Sequence, residues 1–183
     1  MRTAAIVTMA SILGLAIGVA RSQSHAAQPN SAGYIPEISI AEIMESMVMP
    51  TAQVVWDAVG VSVGAQGTVE TKPETDEAWG QLRAAAVTLA EAANTLVIPG
   101  RHAAPPGTVS ADPSAELTPE KIEALLAQQQ PAWDAHAHVL HAAAMEALHA
   151  IDARDLDAIS EAGGTIDAAC EGCHLQFWYP EQK

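Results

Sequence analysis

The chain is poor in bulky aromatics, positive charge and cysteine. Aromatic residues make up 4% of its 183 positions, with a single Phe, so a core filled by large rings is excluded. Alanine supplies much of the 49% hydrophobic fraction, and Ala-rich apolar sequence favours helix over strand. Lys and Arg number 8 against 22 Asp and Glu, a formal net charge of −14. Such a surface repels phosphate, which excludes nucleic acid and anionic membrane surfaces as partners and favours a basic protein. There are two cysteines, Cys170 and Cys173, and their spacing carries most of the functional signal.

At the N-terminus, Arg2 precedes an uncharged apolar run over residues 4–20, followed by small and polar residues to Ala27. This is the layout of a secretory signal over residues 1–27, with cleavage after Ala20 or Ala27. Export to the periplasm is the expectation. The alternative is retention in the inner membrane by residues 4–20, a run at the short end for a span. No cysteine follows the run, which excludes a lipoprotein anchor. Removing residues 1–27, which hold two arginines and no acid, takes the charge from −14 to −16. Residues 28–37 form a polar, Pro-containing lead-in.

Beyond it, apolar residues recur in steps of three and four. Ser39 with Glu42 is a capping box opening a first helix, whose stripe is Ile40, Met44, Met47, Val48, Thr51, Val55 and Ala58. Gly60 ends it, and Pro50 should kink it. A loop over 61–74 leads to a second helix with Trp79, Leu82, Ala86, Leu89, Ala93 and Leu96 on its seam, stopped by Pro99-Gly100. After a broken connector over 101–117, Thr118-Pro119 caps a short helix over 119–129. Pro131 starts a long helix to about residue 153, burying Trp133, Ala137, Leu140, Ala144, Leu148 and Ile151. Asp155 opens the last helix, with the seam Leu156, Ile159, Gly163, Ile166, Cys170, Cys173 and Phe177. No sheet is expected. The architecture predicted over 38–180 is all-α, a four-helix bundle with one long crossover.

Cys170-Glu171-Gly172-Cys173-His174 is a C-x-x-C-H run, the attachment site of c-type haem. Two thiols one turn apart can add to the two vinyl groups of the porphyrin, and His174 then supplies the proximal imidazole. A thioredoxin-like pair would need a βαβ unit that is absent here, and a structural zinc site would need a fourth nearby ligand. His174 lies about 40° round the helix from Cys170, so haem c is expected in the bundle interior. There it would fill a core that is short of volume.

With C-x-x-C-H near the C-terminus, on the last helix of a four-helix bundle, the chain resembles the class II c-type cytochromes, the cytochrome c prime group. Glu42-Ile43-Met44 running into Pro50, Val55-Trp56-Asp57, and Leu89-Ala90-Glu91-Ala92-Ala93-Asn94 leading to Pro99-Gly100-Arg101 fit its exported bacterial members. Trp178 departs from the typical group, which has Arg four residues after the haem histidine. The resemblance implies a mono-haem protein carrying single electrons by Fe(III)/Fe(II) cycling. It also implies that a Met ligand, where one exists, lies early in the first helix.

Met44 is the expected sixth ligand. Met47 lies about 60° from it and Met49 about 140°, towards solvent. Met47, or an open sixth position, is the alternative, and an open site makes a five-coordinate protein binding NO or CO. Substituting Met44 by Ala should open the iron to CO. His138, His141 and His149, with Met145, are expected on a solvated face. His136 falls nearer the haem as a satisfied, partly buried histidine, and Arg83 and Arg101 are candidate propionate partners. No nucleophile–base pair or carboxylate dyad stands out, so no enzymatic reaction is expected. A basic redox protein is the expected partner, and the sequence permits a homodimer.

Overall fold

Ser39 opens the first helix with both halves of the predicted capping box. Its hydroxyl accepts from the Glu42 amide at 3.3 Å, and the Glu42 carboxylate accepts from the Ser39 amide at 2.9 Å. In the computed structural model, which describes residues 33–65 and 67–180, α1 (Ile40–Ile43) passes through a π-helical turn, Met44–Val48, into α2 (Met49–Trp56). The disturbance expected at Pro50 takes this form. Proline offers no amide, and its ring crowds the carbonyl four residues back, so the helix widens for one turn just before it. The expected export segment, residues 1–27, lies outside the described residues, which fall within one unit, Ala32–Lys183.

The expectation of a sheet-free chain needs correction. Within the stretch read as a loop, β1 (Gly60–Gly64) pairs antiparallel with β2 (Gly67–Thr71), Val61 opposite Glu70 and Val63 opposite Thr68. Gly67 adopts a φ of +112° at the turn, a conformation that favours glycine. The described strand residues are all exposed, so no buried face marked the hairpin in the sequence.

The remaining elements are helical, and the chain is mostly helix. Thr75 caps α3 (Asp76–Leu96) by accepting from the Ala78 amide at 3.1 Å. Gln129 separates α4 (Pro119–Gln128) from α5 (Gln130–Ala153), with Pro131 in the first turn of α5. Arg154 ends α5 in the left-handed region, φ +53°, a strained choice for a residue with a Cβ. Its side chain is held at both ends of its reach: Nη2 donates to Asp76 Oδ1 at 2.6 Å, and the guanidinium lies 5.3 Å from the Trp79 ring centre. Asp155 then caps α6 (Leu156–Phe177), accepting from the Ala158 amide at 3.1 Å.

α3 packs along α5 and α5 along α6, while α2 touches both α3 and α6. The predicted seam residues Leu82, Ala86, Leu89, Ala93 and Leu96 of α3 are buried, as are Trp133, Ala137, Leu140, Ala144, Leu148 and Ile151 of α5. Ala85, Ala92, Ala143, Ala147 and Ala150 are buried beside them, and side chains this small let helix backbones approach closely. Trp133 Nε1 donates to the Leu96 carbonyl at 2.9 Å, tying α5 to the end of α3. Among the described residues no helix is long and apolar enough to cross a membrane.

Candidate functional site

The connector between α3 and α4 is irregular but anchored at both ends. The carbonyls of His102 and Ala103 accept from the amides of Ile40 and Ala41, each at 2.9 Å, so they satisfy donors that α1 would leave open. Glu123 Oε1 accepts from the Ala103 amide at 3.1 Å and meets His102 Nδ1 at 3.0 Å. At the other end the Leu117 amide donates to the Trp178 carbonyl at 2.8 Å. The connector is thereby drawn across the ends of α1 and α6.

Beneath it lies a cavity of ≈ 580 Å³, walled by the connector, the α1–α2 segment, α5 and α6. That volume is within the range of small-molecule and cofactor sites, roughly 300–1,000 Å³. Its wall is predominantly apolar, with Ile40, Val48, Leu96, Leu140, Trp133 and Phe177 contributing. The last two rings meet edge to face at 5.4 Å. Cys170, Cys173 and His174 all line it, and so does Met44. A smaller cleft of ≈ 260 Å³ shares Trp56 and Asp167 with this cavity but holds none of the motif residues.

Met47, the alternative to Met44, is not on the cavity wall; it packs half-buried against the core. Met49, expected towards solvent, does line the cavity. The turn before it is π-helical: the Met49 amide bonds to the Met44 carbonyl five residues back, which narrows the angle between the two residues from that of an α-helix. Pro50 marks in the sequence where the turn occurs, but no residue in the sequence signals its π geometry.

The two cysteines are free thiols. Burial, reinforced by Asp167, pushes the Cys170 thiol up to about 11, and burial with Cys170 beside it pushes Cys173 up to about 12. Burial pulls His174 below the ordinary imidazole value despite the opposing pull of Glu171, so at neutral pH the ring is neutral and keeps a lone pair for ligation. Trp178 sits edge-on to His174 at 4.9 Å, and Tyr179 lies 5.9 Å from it. The Tyr179 hydroxyl donates to Glu171 at 2.6 Å.

His136 lines the cavity as a satisfied, half-buried histidine: its Nε2 meets Gln176 Oε1 at 3.0 Å, and Gln176 donates on to Gln129 at 2.8 Å. Neither proposed propionate partner is on the wall. Arg83 is engaged by Asp152 at 2.7 Å on the outer surface, and Arg101 donates to the Ile38 carbonyl. The charged residues that line the cavity are the acids Glu45, Glu116, Asp167 and Glu171. His138 and His149 are exposed and His141 half-buried. Among the described residues no three His, Cys, Asp or Glu side chains converge as a metal site.

Compared with known proteins, the chain matches no family model, no curated protein and no solved structure.

Proposed function

We propose that this protein is an exported mono-haem c-type cytochrome, a four-helix bundle of the class II kind, that carries single electrons. The observation that supports it best is the meeting of Cys170, Cys173, His174 and Met44 on the wall of one apolar cavity of ≈ 580 Å³. Three of these residues come from α6 and one from a segment more than a hundred positions earlier. Bound haem would supply a one-electron Fe(III)/Fe(II) couple shielded from water.

Within that reading each residue has a distinct task. Cys170 and Cys173 hold the porphyrin through thioethers, His174 offers a neutral imidazole to the iron, and Met44 offers a soft sulfur on the sixth side. A reactive redox dithiol is favoured by nearby positive charge, whereas the charged neighbour of Cys170 here is Asp167, and among the described residues no three His, Cys, Asp or Glu side chains converge as a zinc site. Trp178 fills the place at which the typical class II group has Arg, and in this chain it packs against His174. Residues 1–27 direct export to the periplasm, with an inner-membrane anchor at residues 4–20 as the alternative. A basic redox protein is the partner, and a homodimer is compatible with this reading.

The test is an absorption spectrum of the exported protein, oxidised, reduced, and reduced under CO, together with Cys170→Ser and Cys173→Ser variants. The carrier reading expects a low-spin spectrum indifferent to CO, haem that resists acid–acetone extraction, and a shifted haemochrome band when either cysteine is lost. A high-spin spectrum that changes under CO would make the protein a five-coordinate gas binder. Absence of covalent haem would overturn both readings.

A further inference from the structure

We propose that Met49 is a second thioether ligand of the same site, taking the sixth position whenever Met44 leaves it. The inference rests on the haem reading above and goes beyond it by assigning a residue that helical spacing alone places towards solvent. In an α-helix a residue five positions on lies about 140° away. Here the turn over Met44–Val48 closes a bond from the Met49 amide to the Met44 carbonyl, and both residues border the cavity.

The arrangement is fixed by its neighbours. Pro50 follows immediately and cannot donate. The Thr51 hydroxyl donates to the carbonyls of Met47 at 2.5 Å and Val48 at 3.1 Å, satisfying acceptors in the widened turn. Met44 is half-buried, whereas Met49 is 57% exposed and so stands at the cavity mouth. Each sulfur is carried on three rotatable bonds, the freedom that the proposed exchange of one thioether for the other requires. The other nitrogen donor beyond the motif, His136, is engaged by Gln176.

The functional consequence is selectivity. Were Met44 the sole thioether, its departure would leave a bound haem open to a diatomic gas. With two thioethers on one wall, a gas must compete with the second sulfur at each such opening. The site is thus biased towards electrons and against gas ligands.

The test uses the full chain, exported and haem-loaded, with Met44→Leu, Met49→Leu and the double variant. Leucine keeps the volume and offers no donor. Readouts are the far-red sulfur-to-iron charge-transfer band, CO binding to the reduced protein, and covalent haem content. The proposal expects Met44→Leu to stay low-spin with a displaced band and to bind CO at least tenfold more weakly than the double variant. A Met44→Leu protein that is high-spin and binds CO as readily as the double variant overturns it. If Met44→Leu does not fold, Met49→Leu decides alone under prolonged exposure to saturating CO, where the wild type reacts slowly rather than not at all: at least a tenfold faster reaction than wild type supports the proposal, and an unchanged rate overturns it. Normal haem content separates these outcomes from failure of the haem reading, in which every variant and the wild type lack covalent haem.

Discussion

Trp56 donates from its indole Nε1 to the carbonyl of Gly163 at 2.9 Å, and a Cβ on residue 163 would lie 3.3 Å from Trp56 Cδ1. The two residues join α2 to α6 beside the cavity, and the absent side chain permits the approach. Gly164, next along, is exposed with nothing within 4 Å of a Cβ. The two glycines should therefore respond oppositely to alanine. Gly164→Ala should stabilise the protein by about 0.5–1 kcal/mol, the usual gain of Ala over Gly inside a helix. Gly163→Ala gains the same propensity but must displace a ring held by its own hydrogen bond, so its urea midpoint should fall. Equal upward shifts would show that Trp56 yields freely.

Trp133 poses a similar question in the core. It is 5% exposed, its Nε1 donates to the Leu96 carbonyl, and its ring meets Phe177 at 5.4 Å. Trp133→Phe keeps an aromatic ring but leaves a buried acceptor without a partner, which costs about 1–3 kcal/mol. Trp133→Ala adds a cavity and should cost about 3–5 kcal/mol. Urea denaturation of both variants measures the difference, and a Trp133→Phe effect below about 0.5 kcal/mol would show that the Leu96 carbonyl finds another donor.

Helix starts, the seams of α3 and α5 and the motif on α6 were legible because each is a local signal: a capping side chain, a period, a spacing. Ser39 with Glu42, Asp155, and the Leu82-to-Leu96 series are of this kind. The hairpin was missed because Val61, Val63 and Val69 bury nothing and so create no patterned face. The site was half legible. The spacing singled out Cys170, Cys173 and His174, and the apolar stripe singled out Met44; all four line one cavity. The cavity itself depends on a connector whose residues have no period, and on bonds such as Leu117 to Trp178 between distant segments. Met49 is exposed, as its helical angle implies; that it also borders the cavity was not legible, because a 100° step does not hold through the π turn before Pro50.

Acid should weaken the fold through carboxylates at its joints. Hydrogen bonds from the Ser39 hydroxyl and amide hold Glu42 below the ordinary carboxylate range; Arg83 does the same for Asp152, and Ser110 for Glu116. A carboxyl whose native pKa is depressed contributes stability that is present above its unfolded value and is lost as pH falls through the native one. The carboxylate share of the urea midpoint should therefore hold steady from neutral pH down to about 4.5 and decline below it, beneath an earlier fall that begins near pH 6.5 as His174 protonates in the unfolded chain but not in the native one. Ser39→Ala should cost about 1 kcal/mol at neutral pH through loss of the cap, and its deficit should shrink in acid as Glu42 protonates in both proteins. A deficit independent of pH would separate the cap from the carboxylate.

The acidic charge should act on encounter, and locally. Glu45, Asp167 and Glu171 line the cavity and are exposed, so they stand at its mouth, where a bound cofactor would lie nearest to a docked protein. Electron transfer to a small, strongly basic redox protein should slow by at least tenfold as ionic strength rises from about 0.01 M to 1 M, over which the screening length falls from about 30 Å to 3 Å. Exchange with a small uncharged reductant should barely respond. Net charge alone would make every acid equivalent, and charge reversal tests that. Glu45→Lys with Asp167→Lys changes the total by as much as Glu70→Lys with Glu77→Lys, which lie on β2 and α3 away from the mouth. If docking occurs at the mouth, the first pair should reduce the bimolecular rate constant and flatten its salt dependence far more than the second. Equal effects from the two pairs would mean that the whole surface steers the partner and that the cavity mouth has no special part in its recognition.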